Sequence, residues 1–147
     1  MTEEKGFIVE YKREGDDHHY LTFGSKALPD ISIDYTGMTQ EQRAGTARKL
    51  LSAAALYCFA STLGSSLRAR GVNIKSLWGR ASAETGQDDY KRTKVAKIRI
   101  EVDVDLDDAD LPVLEKCSTI AERGCLVTYS LEEGIEVEKE IRRVQGG

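Results

Sequence analysis

Apolar and polar residues alternate along three short stretches near the start of the chain, and this pattern predicts strands. The first stretch runs from Phe7 to Lys12 and the second from His19 to Phe23. Between them lie Glu14 to Asp17, a glycine and acidic residues typical of a turn, so the two stretches are expected to form a β-hairpin. A third alternating stretch, Ile31 to Tyr35, follows Pro29 and predicts another short strand.

A proline-free stretch rich in alanine and leucine predicts one long helix, from about Thr46 to Arg70. Thr46 is expected to cap its start, and Gly71 to end it. From Leu50 to Leu63 the residues are apolar or small on nearly every side, which is typical of a helix buried between layers. We therefore expect this helix to be the central one of the fold.

The second half of the chain predicts further strands and a second helix. Clean alternation from Ala96 to Asp105 indicates a strand with one buried and one solvent-facing side. Pro112 begins a helical pattern that ends at Gly124. Other expected elements are short strands at Val72 to Leu77, Leu126 to Leu131 and Ile135 to Ile141, with a connecting loop from Ala81 to Thr93. This order of strands, helix, strands, helix and strands indicates an α+β domain.

The composition fits a single domain that spans residues 1–147. A chain of 147 residues with 40% hydrophobic residues can bury a core without metals or disulfides. Charges of both signs are interspersed and sum to -4, so there is no basic stripe of the kind that binds nucleic acid. The apolar runs are shorter than the roughly 18 residues of a membrane span, and the first residues are acidic. We expect a cytoplasmic protein with no nucleic-acid or membrane partner.

Three cysteines are too few for a disulfide framework, so each thiol is either an inert core residue or redox-active. Cys58 lies in the middle of the long helix, on a face of small side chains that lets another buried element approach closely. This position keeps Cys58 away from the positive end of its own helix dipole, so activation would need a nearby Arg or Lys. The residues alone leave open whether Cys58 is a small buried hydrophobe or a reactive thiol.

The other two cysteines have different surroundings. Cys125 follows Gly124 at the expected end of the second helix, a junction where side chains often project into clefts. Cys117 lies on the apolar side of the same helix, together with Leu114 and Ala121, which predicts a packing role.

Two segments carry a resemblance to a known family. The first, LLSAAALYCFASTLGSSLRARGV at residues 50–72, resembles the signature helix of the OsmC/Ohr family, which contains osmotically inducible protein C and the organic hydroperoxide resistance proteins. The second, AERGCLVTYSLEEGIEVEKEI at residues 121–141, is similar to the family's later segment, where a helix ends at a cysteine. The two segments stand in the family's order and spacing.

This resemblance implies an OsmC-like fold, with antiparallel sheets around long central helices, and an intertwined homodimer. It also implies a thiol peroxidase that reduces organic hydroperoxides to alcohols. Cys58 matches the family's peroxide-attacking cysteine, and Cys125 matches its resolving cysteine, so a Cys58–Cys125 disulfide is expected after turnover. The chemistry needs no cofactor or metal, and the implied reductant is an external dithiol, commonly a lipoyl group on a protein.

The chain departs from the family pattern at several positions. Family members commonly open the long helix with a Pro-Glu pair. The Glu of this pair orients an activating Arg beside the thiol. This chain has Arg48 at the position of the Glu. Arg13, at the end of the first strand, is the nearest match to that activating Arg. The usual Cys-Pro of the family is Cys125-Leu126 here.

Two other functions stay open. The replacement by Arg48 fits a non-catalytic protein of this fold that binds a small apolar ligand or a partner. A zinc-binding protein could use Cys58, Cys125 and a histidine. Asp16 to His19 also offer metal-ligand types, but neighbouring strand residues point to opposite faces, so a solvated hairpin tip accounts for them better. The sequence leaves the physiological peroxide and reductant undetermined.

Overall fold

The structure, a computed structural model, describes residues 7–146 of the chain. These residues fall into two compact units, with the boundary between Gly45 and Thr46. The expected single domain over residues 1–147 stays a prediction.

The first unit is built on a three-stranded antiparallel sheet. Its strands are β1 (Glu10–Glu14), β2 (His18–Thr22) and β3 (Ile31–Asp34), in the order β1-β2-β3. The register pairs Glu14 with His18 across the turn and Leu21 with Ile31 on the other side of β2. The hairpin and the third strand predicted from the alternating pattern are therefore confirmed.

A one-turn helix, α1 (Gln40–Arg43), follows the sheet and was not predicted. Thr39 caps it, because the Gln42 amide donates to the Thr39 hydroxyl and the Gln42 side chain accepts from the Thr39 amide. This reciprocal pair is a capping box, and its sequence signature of Thr followed three residues later by Gln is present in the chain.

The second unit packs one long helix against all of its other elements. These are α2 (Thr46–Ala69), β4 (Ser76–Gln87), β5 (Thr93–Asp105), α3 (Leu111–Gly124) and α4 (Leu126–Glu133), with a single 3-10 turn at Asp108–Asp110. The core of the unit consists of Leu63, Leu67, Val72, Cys117 and Ala121. The long helix is confirmed, and the left-handed Gly71 ends it as expected.

Helix α2 buries fewer of its side chains than is expected of a central helix. Its buried residues are Ser52, Ala55, Leu63 and Leu67, whereas the Tyr57 side chain is 74% exposed. Residues 40–69 are long and apolar enough, by length and composition, to cross a membrane. One such segment is weak support for a membrane span, because core helices of soluble proteins meet the same criterion.

Strands β4 and β5 form a long antiparallel hairpin, and here two predictions were wrong. The expected loop from Ala81 to Thr93 is mostly strand, because β4 continues to Gln87 and its polar side chains face solvent while its backbone pairs with β5. The expected strand at Val72 to Leu77 starts only at Ser76. Val72 is instead buried in the core, and its amide donates to the Leu67 carbonyl at the end of α2.

The strand expected from Ala96 to Asp105 is confirmed within β5, with one irregularity. Ile98, Ile100, Val102 and Val104 are half-buried and alternate with exposed residues. A bulge at Glu84/Thr85 shifts the register, so Val95 takes the half-buried position and Ala96 is exposed. The extra residue of a bulge reverses the inward and outward pattern beyond it.

The last two expected strands were also wrong. Residues 126–131 belong to helix α4, with Val127, Thr128 and Leu131 half-buried at helical spacing, and Gly134 ends the helix with a φ of 88°. Residues 135–146 form neither helix nor strand. A strand needs a neighbour to satisfy its backbone, and no pairing within the described residues supplies one for Ile135 to Ile141.

Substitution of Gly79 tests the close approach of the two long strands. A Cβ at Gly79 would lie 2.5 Å from the Glu101 carbonyl oxygen, so Gly79→Ala must push β4 and β5 apart. We expect a loss of about 1–3 kcal/mol in the free energy of unfolding, measured by urea denaturation. The control is Gly124→Ala, where the added Cβ has no neighbour within 4 Å. An unchanged urea midpoint for Gly79→Ala would contradict this packing.

Candidate thiol site

Two elements of the second unit bring Cys58 and Cys125 together. Cys58 lies in the middle of α2, and Cys125 is the single residue between α3 and α4, where it caps the end of one helix and the start of the other. Its extended backbone, with φ of -71° and ψ of 118°, separates the two helices. The two thiols lie close enough for each to shift the pKa of the other.

The N-terminus of α4 points at this thiol pair. The Val127 amide, in the first turn of α4, donates a hydrogen bond of 3.4 Å to Cys58 Sγ. The first amides of a helix have no acceptor within the helix and carry the positive end of its dipole. Cys58 is far from the N-terminus of its own helix, but α4 supplies the amide that α2 does not.

The surroundings move the pKa values of the two thiols in opposite directions. Burial raises the pKa of Cys58, and its hydrogen bond to Cys125 raises it further, against smaller opposing effects of the Val127 amide and the Thr62 side chain. Burial also acts to raise the pKa of Cys125. Hydrogen bonds from Cys58, from the Thr128 side chain and backbone, and from the Val127 amide outweigh burial and lower that pKa overall.

The three cysteines differ in access to solvent. Cys58 is half-buried, whereas Cys117 and Cys125 are fully buried, and all three are free thiols. Cys117 lies in the core of the second unit with Leu63 and Leu67, so its side chain packs as expected from its place on the apolar side of α3. The accessible thiol of the pair is therefore Cys58.

Each of the two predicted arginines donates hydrogen bonds to backbone carbonyls of its own unit. Arg48 donates from Nη1 to the Ala83 carbonyl of β4 at 3.2 Å. Arg13 lies in the first unit, where its guanidinium donates to the Gly15 and Asp16 carbonyls at the hairpin turn. The activating role expected for Arg13 stays a prediction.

A cavity of about 390 Å³ lies between α2, β5 and α4, and neither Cys58 nor Cys125 lines it. Ala55, one helical turn before Cys58, and Thr128, which hydrogen-bonds Cys125, both line it. The rest of its wall comes from α2, β5 and α4 and is mostly apolar: Leu51, Val95, Ala96, Lys97, Ile98, Ile100, Leu131 and Glu132. A mostly apolar cavity with a few polar groups suits a small ligand with a hydrocarbon part.

The histidines of the hairpin are engaged within the first unit. His18 Nε2 lies 3.1 Å from an Asp34 carboxylate oxygen, and His19 Nδ1 lies 2.8 Å from the Tyr11 hydroxyl. Within residues 7–146, no group of three or more His, Cys, Asp or Glu side chains is placed to hold a metal ion.

Sequence reasoning missed Thr62, Val127 and Thr128 as parts of the site. The strand assigned to residues 126–131 concealed the last two, because a strand offers no unpaired amides at its start. A helical signal was present: Val127 and Leu131 are four residues apart, and Glu133 is followed by Gly134 as a stop.

Comparisons with known proteins agree with this architecture. A family model described as OsmC-like protein matches residues 39–140. No curated protein matches the chain.

Solved structures share the fold at low sequence identity. An OsmC-like protein of unknown function from Vibrio cholerae is 18% identical, with a TM-score of 0.64 over 85% of this chain and 91% of that one. A hypothetical protein from Aquifex aeolicus is 12% identical, with a TM-score of 0.62 over 86% and 87% of the two chains. The organic hydroperoxide resistance protein OhrB of Bacillus subtilis is 16% identical, with a TM-score of 0.53 over 84% and 90%. The chain has an OsmC-like α+β fold and belongs to the OsmC-like protein family.

Proposed function

We propose that this protein is a cysteine-dependent peroxidase that reduces organic hydroperoxides to alcohols. The observation that carries the proposal is the meeting of Cys58 and Cys125 at the N-terminus of α4, which Cys125 caps and whose Val127 amide donates to Cys58 Sγ. Membership of the OsmC-like family, and the fold shared with an organic hydroperoxide resistance protein, support it.

The reaction needs only the two thiols and an external reductant. The Cys58 thiolate attacks the terminal oxygen of the hydroperoxide, the O–O bond breaks, and the alkoxide leaves and is protonated to the alcohol. Cys58 is then a sulfenic acid, and the Cys125 sulfur displaces its oxygen as water to form a disulfide. A dithiol, of the lipoyl type expected for the family, restores both thiols by exchange.

The cavity that Ala55 and Thr128 share, near Cys58 and Cys125 in the chain, supports an alkyl peroxide as the substrate. Leu51, Ile98 and Leu131 line it and are half-buried, so they offer apolar surface to a hydrocarbon group. Each apolar Å² removed from water contributes roughly 25 cal/mol, so an alkyl group adds binding free energy that hydrogen peroxide lacks. We expect the reaction to take place in the cytoplasm, without nucleic-acid or membrane partners.

We further propose that the active protein is an intertwined homodimer. Ala53, Ala54 and Tyr57 lie on exposed parts of α2, although this helix is apolar on nearly every side. Ile135 and Val137 are 55% and 70% exposed in a segment that keeps the alternating pattern of a strand. A second copy would cover this apolar surface and offer the segment a partner strand.

Peroxidase assays with dihydrolipoamide as the reductant test the function. We expect cumene hydroperoxide to be consumed at least about tenfold faster than hydrogen peroxide, because the apolar cavity binds the cumyl group. Cys58→Ser should abolish both activities, and Cys117→Ala should retain them. Equal rates with both peroxides would contradict the substrate class. No consumption of either would leave a non-catalytic binding protein as the better account.

Substitutions in the cavity lining test whether the cavity causes the preference for cumene hydroperoxide. Leu51→Asn places an amide in the cavity and should raise KM for cumene hydroperoxide without changing the rate with hydrogen peroxide. Leu111→Asn, at an exposed position outside the cavity lining, should leave both unchanged.

Peptide mapping after peroxide treatment should identify one disulfide, between Cys58 and Cys125. Cys58 and Cys125 both lie at the N-terminus of α4, whereas Cys117 is fixed in the core within a regular helix. Cys125→Ser should leave Cys58 as a sulfenic acid that over-oxidises with excess peroxide. A mapped Cys58–Cys117 link would show that the resolving residue is wrongly assigned.

Sedimentation should give about twice the chain mass of 16.3 kDa at micromolar concentration. Ala54→Glu adds a charge to the exposed small-residue face of α2 and should shift the protein to the monomer. Ala109→Glu adds the same charge at an exposed position outside α2 and should leave the dimer intact. A folded wild-type monomer would refute the dimer.

A further inference from the structure

Strand β5 has a free edge that borders the cavity of the second unit. The sheet has only β4 and β5, so among residues 7–146 no strand pairs with β5 on the side away from β4. Successive side chains of a strand point to opposite faces, yet the exposed Lys97 and the half-buried Ile98 both line the cavity. The cavity is therefore bounded by the edge of β5, and not by one of its faces.

The open side of the cavity lies along this edge. Ala96 and Lys97 of β5 and Glu132 of α4 are the exposed residues of its lining, whereas Ala55 of α2 is fully buried. An unpaired edge offers backbone N–H and C=O groups to an added strand, and β5 is 13 residues long. The cavity and the edge together form a slot that an extended segment fits.

Residues 135–141, with the sequence IEVEKEI, have the pattern of such a segment. Ile135, Val137 and Ile141 alternate with three glutamates and are 55%, 70% and 98% exposed. No strand of the described part of the chain pairs with this segment. A single chain therefore leaves its apolar side uncovered and its backbone without a partner strand.

The charges of the segment and of β5 are complementary. Lys94, Lys97 and Arg99 make the exposed side of β5 basic beside the cavity. All glutamates of the segment share one side of a strand: Glu136, Glu138 and Glu140. A strand added to β5 with its apolar side toward α2 places these carboxylates beside the basic residues, and opposite charges on neighbouring strands stabilise their pairing. Lys139, the one charged residue of the apolar side, has a counterpart in Glu132 of the cavity lining.

The other free strand edges fit this segment less well. The outer strands of the three-stranded sheet carry exposed acidic residues, Glu10 and Glu14 on β1 and Asp34 on β3. Three glutamates would meet like charges there. On β4, Arg80 is already paired with Glu101.

We propose, building on the homodimer above, that residues 135–141 of a second copy add to the free edge of β5 as a strand and close the open side of the cavity. The exchange is mutual in a symmetric dimer, because each copy gives one segment and receives one. Main-chain hydrogen bonds supply the affinity, and the alternation of apolar and acidic side chains fixes the register. Ile135 and Val137 of the second copy then complete the apolar wall of the cavity.

A photo-cross-linker at Val137 tests which element the segment meets and in which chain. With a benzophenone amino acid at this position, illumination of the full-length protein should give a product of twice the 16.3 kDa chain mass. Peptide mapping should place the cross-link within β5 (Thr93–Asp105). The same amino acid at Val144, which is also exposed but lies outside the segment, should lose this product.

Proline substitutions test the backbone pairing. Successive N–H groups of a strand point to opposite edges, so either Val137→Pro or Glu138→Pro must remove a hydrogen bond to β5. That variant should weaken the dimer roughly tenfold in sedimentation, because each of the two copies loses a bond. Val144→Pro, in the same unpaired stretch, should leave the dimer unchanged. The segment is exposed in the single chain, so these changes spare the core.

Charge reversal tests the complementarity. Replacing the three glutamates of the segment by lysine should weaken the dimer severalfold at low salt and less at high salt. Adding Lys97→Glu and Arg99→Glu to that variant should recover part of the loss. Glu115→Lys, at an exposed position of α3, is the control and should have no effect.

The outcomes separate this inference from the homodimer on which it rests. A stable dimer whose cross-link maps outside β5, or whose affinity neither proline changes, would refute the added strand and leave the homodimer intact. A cross-link to β5 in a product of single-chain mass would show that the chain's own segment fills the slot, and would also refute it. A wild type that stays monomeric would overturn the homodimer and this inference together.

Discussion

The contact between the first turn of α4 and the middle of α2 determines the surroundings of Cys58. A thiol in the middle of a helix has no free amide from its own helix, and burial disfavours its ionisation. Here the Val127 amide of α4 reaches Cys58 at 3.4 Å, and Cys125 lies at the same helix end. The site therefore depends on α2 and α4 packing closely enough for a backbone amide of one to reach a side chain of the other.

The small residues of α2 explain how that approach is reached. Ser52 and Ala55, in the two helical turns before Cys58, are buried. Ala55 of α2 and Thr128 of α4 both line the same cavity. Larger side chains there would hold α4 away and lengthen the hydrogen bond to Cys58. The small side chain of Ala55 thus meets a packing requirement of the thiol site, whereas Ala53 and Ala54 of the same run are exposed.

The sequence predicted those elements whose periodic pattern is uninterrupted, such as the long helix, the first hairpin and the alternation of Ile98 to Val104. It failed where a pattern has two explanations. The polar residues after Ala81 suggest a loop by composition, but they are one face of a two-stranded ribbon whose backbone pairs with β5. Leu126 to Leu131 contain the valine, threonine and tyrosine favoured in strands, and tertiary packing on α2 overrides that preference.

The wrong assignment of residues 126–131 as a strand concealed the surroundings of both cysteines. The cysteine positions and their pairing followed from family resemblance, but their environment depends on which element begins at Leu126. A strand there would have no helix dipole, whereas the helix presents the free amide of Val127 to Cys58 Sγ.

The structure divides two conflicting requirements between two residues. A peroxide-attacking thiol must be accessible, and an accessible mid-helix position such as that of Cys58 offers few donors to stabilise an anion. A helix N-terminus offers many donors, but Cys125 at that position is fully buried and out of reach of a bulky peroxide. The Val127 amide, 3.4 Å from Cys58 Sγ, gives the more accessible sulfur a donor from that same helix end. The packing of α4 on α2 therefore combines, at Cys58, partial access to solvent with a backbone donor that its own helix cannot offer.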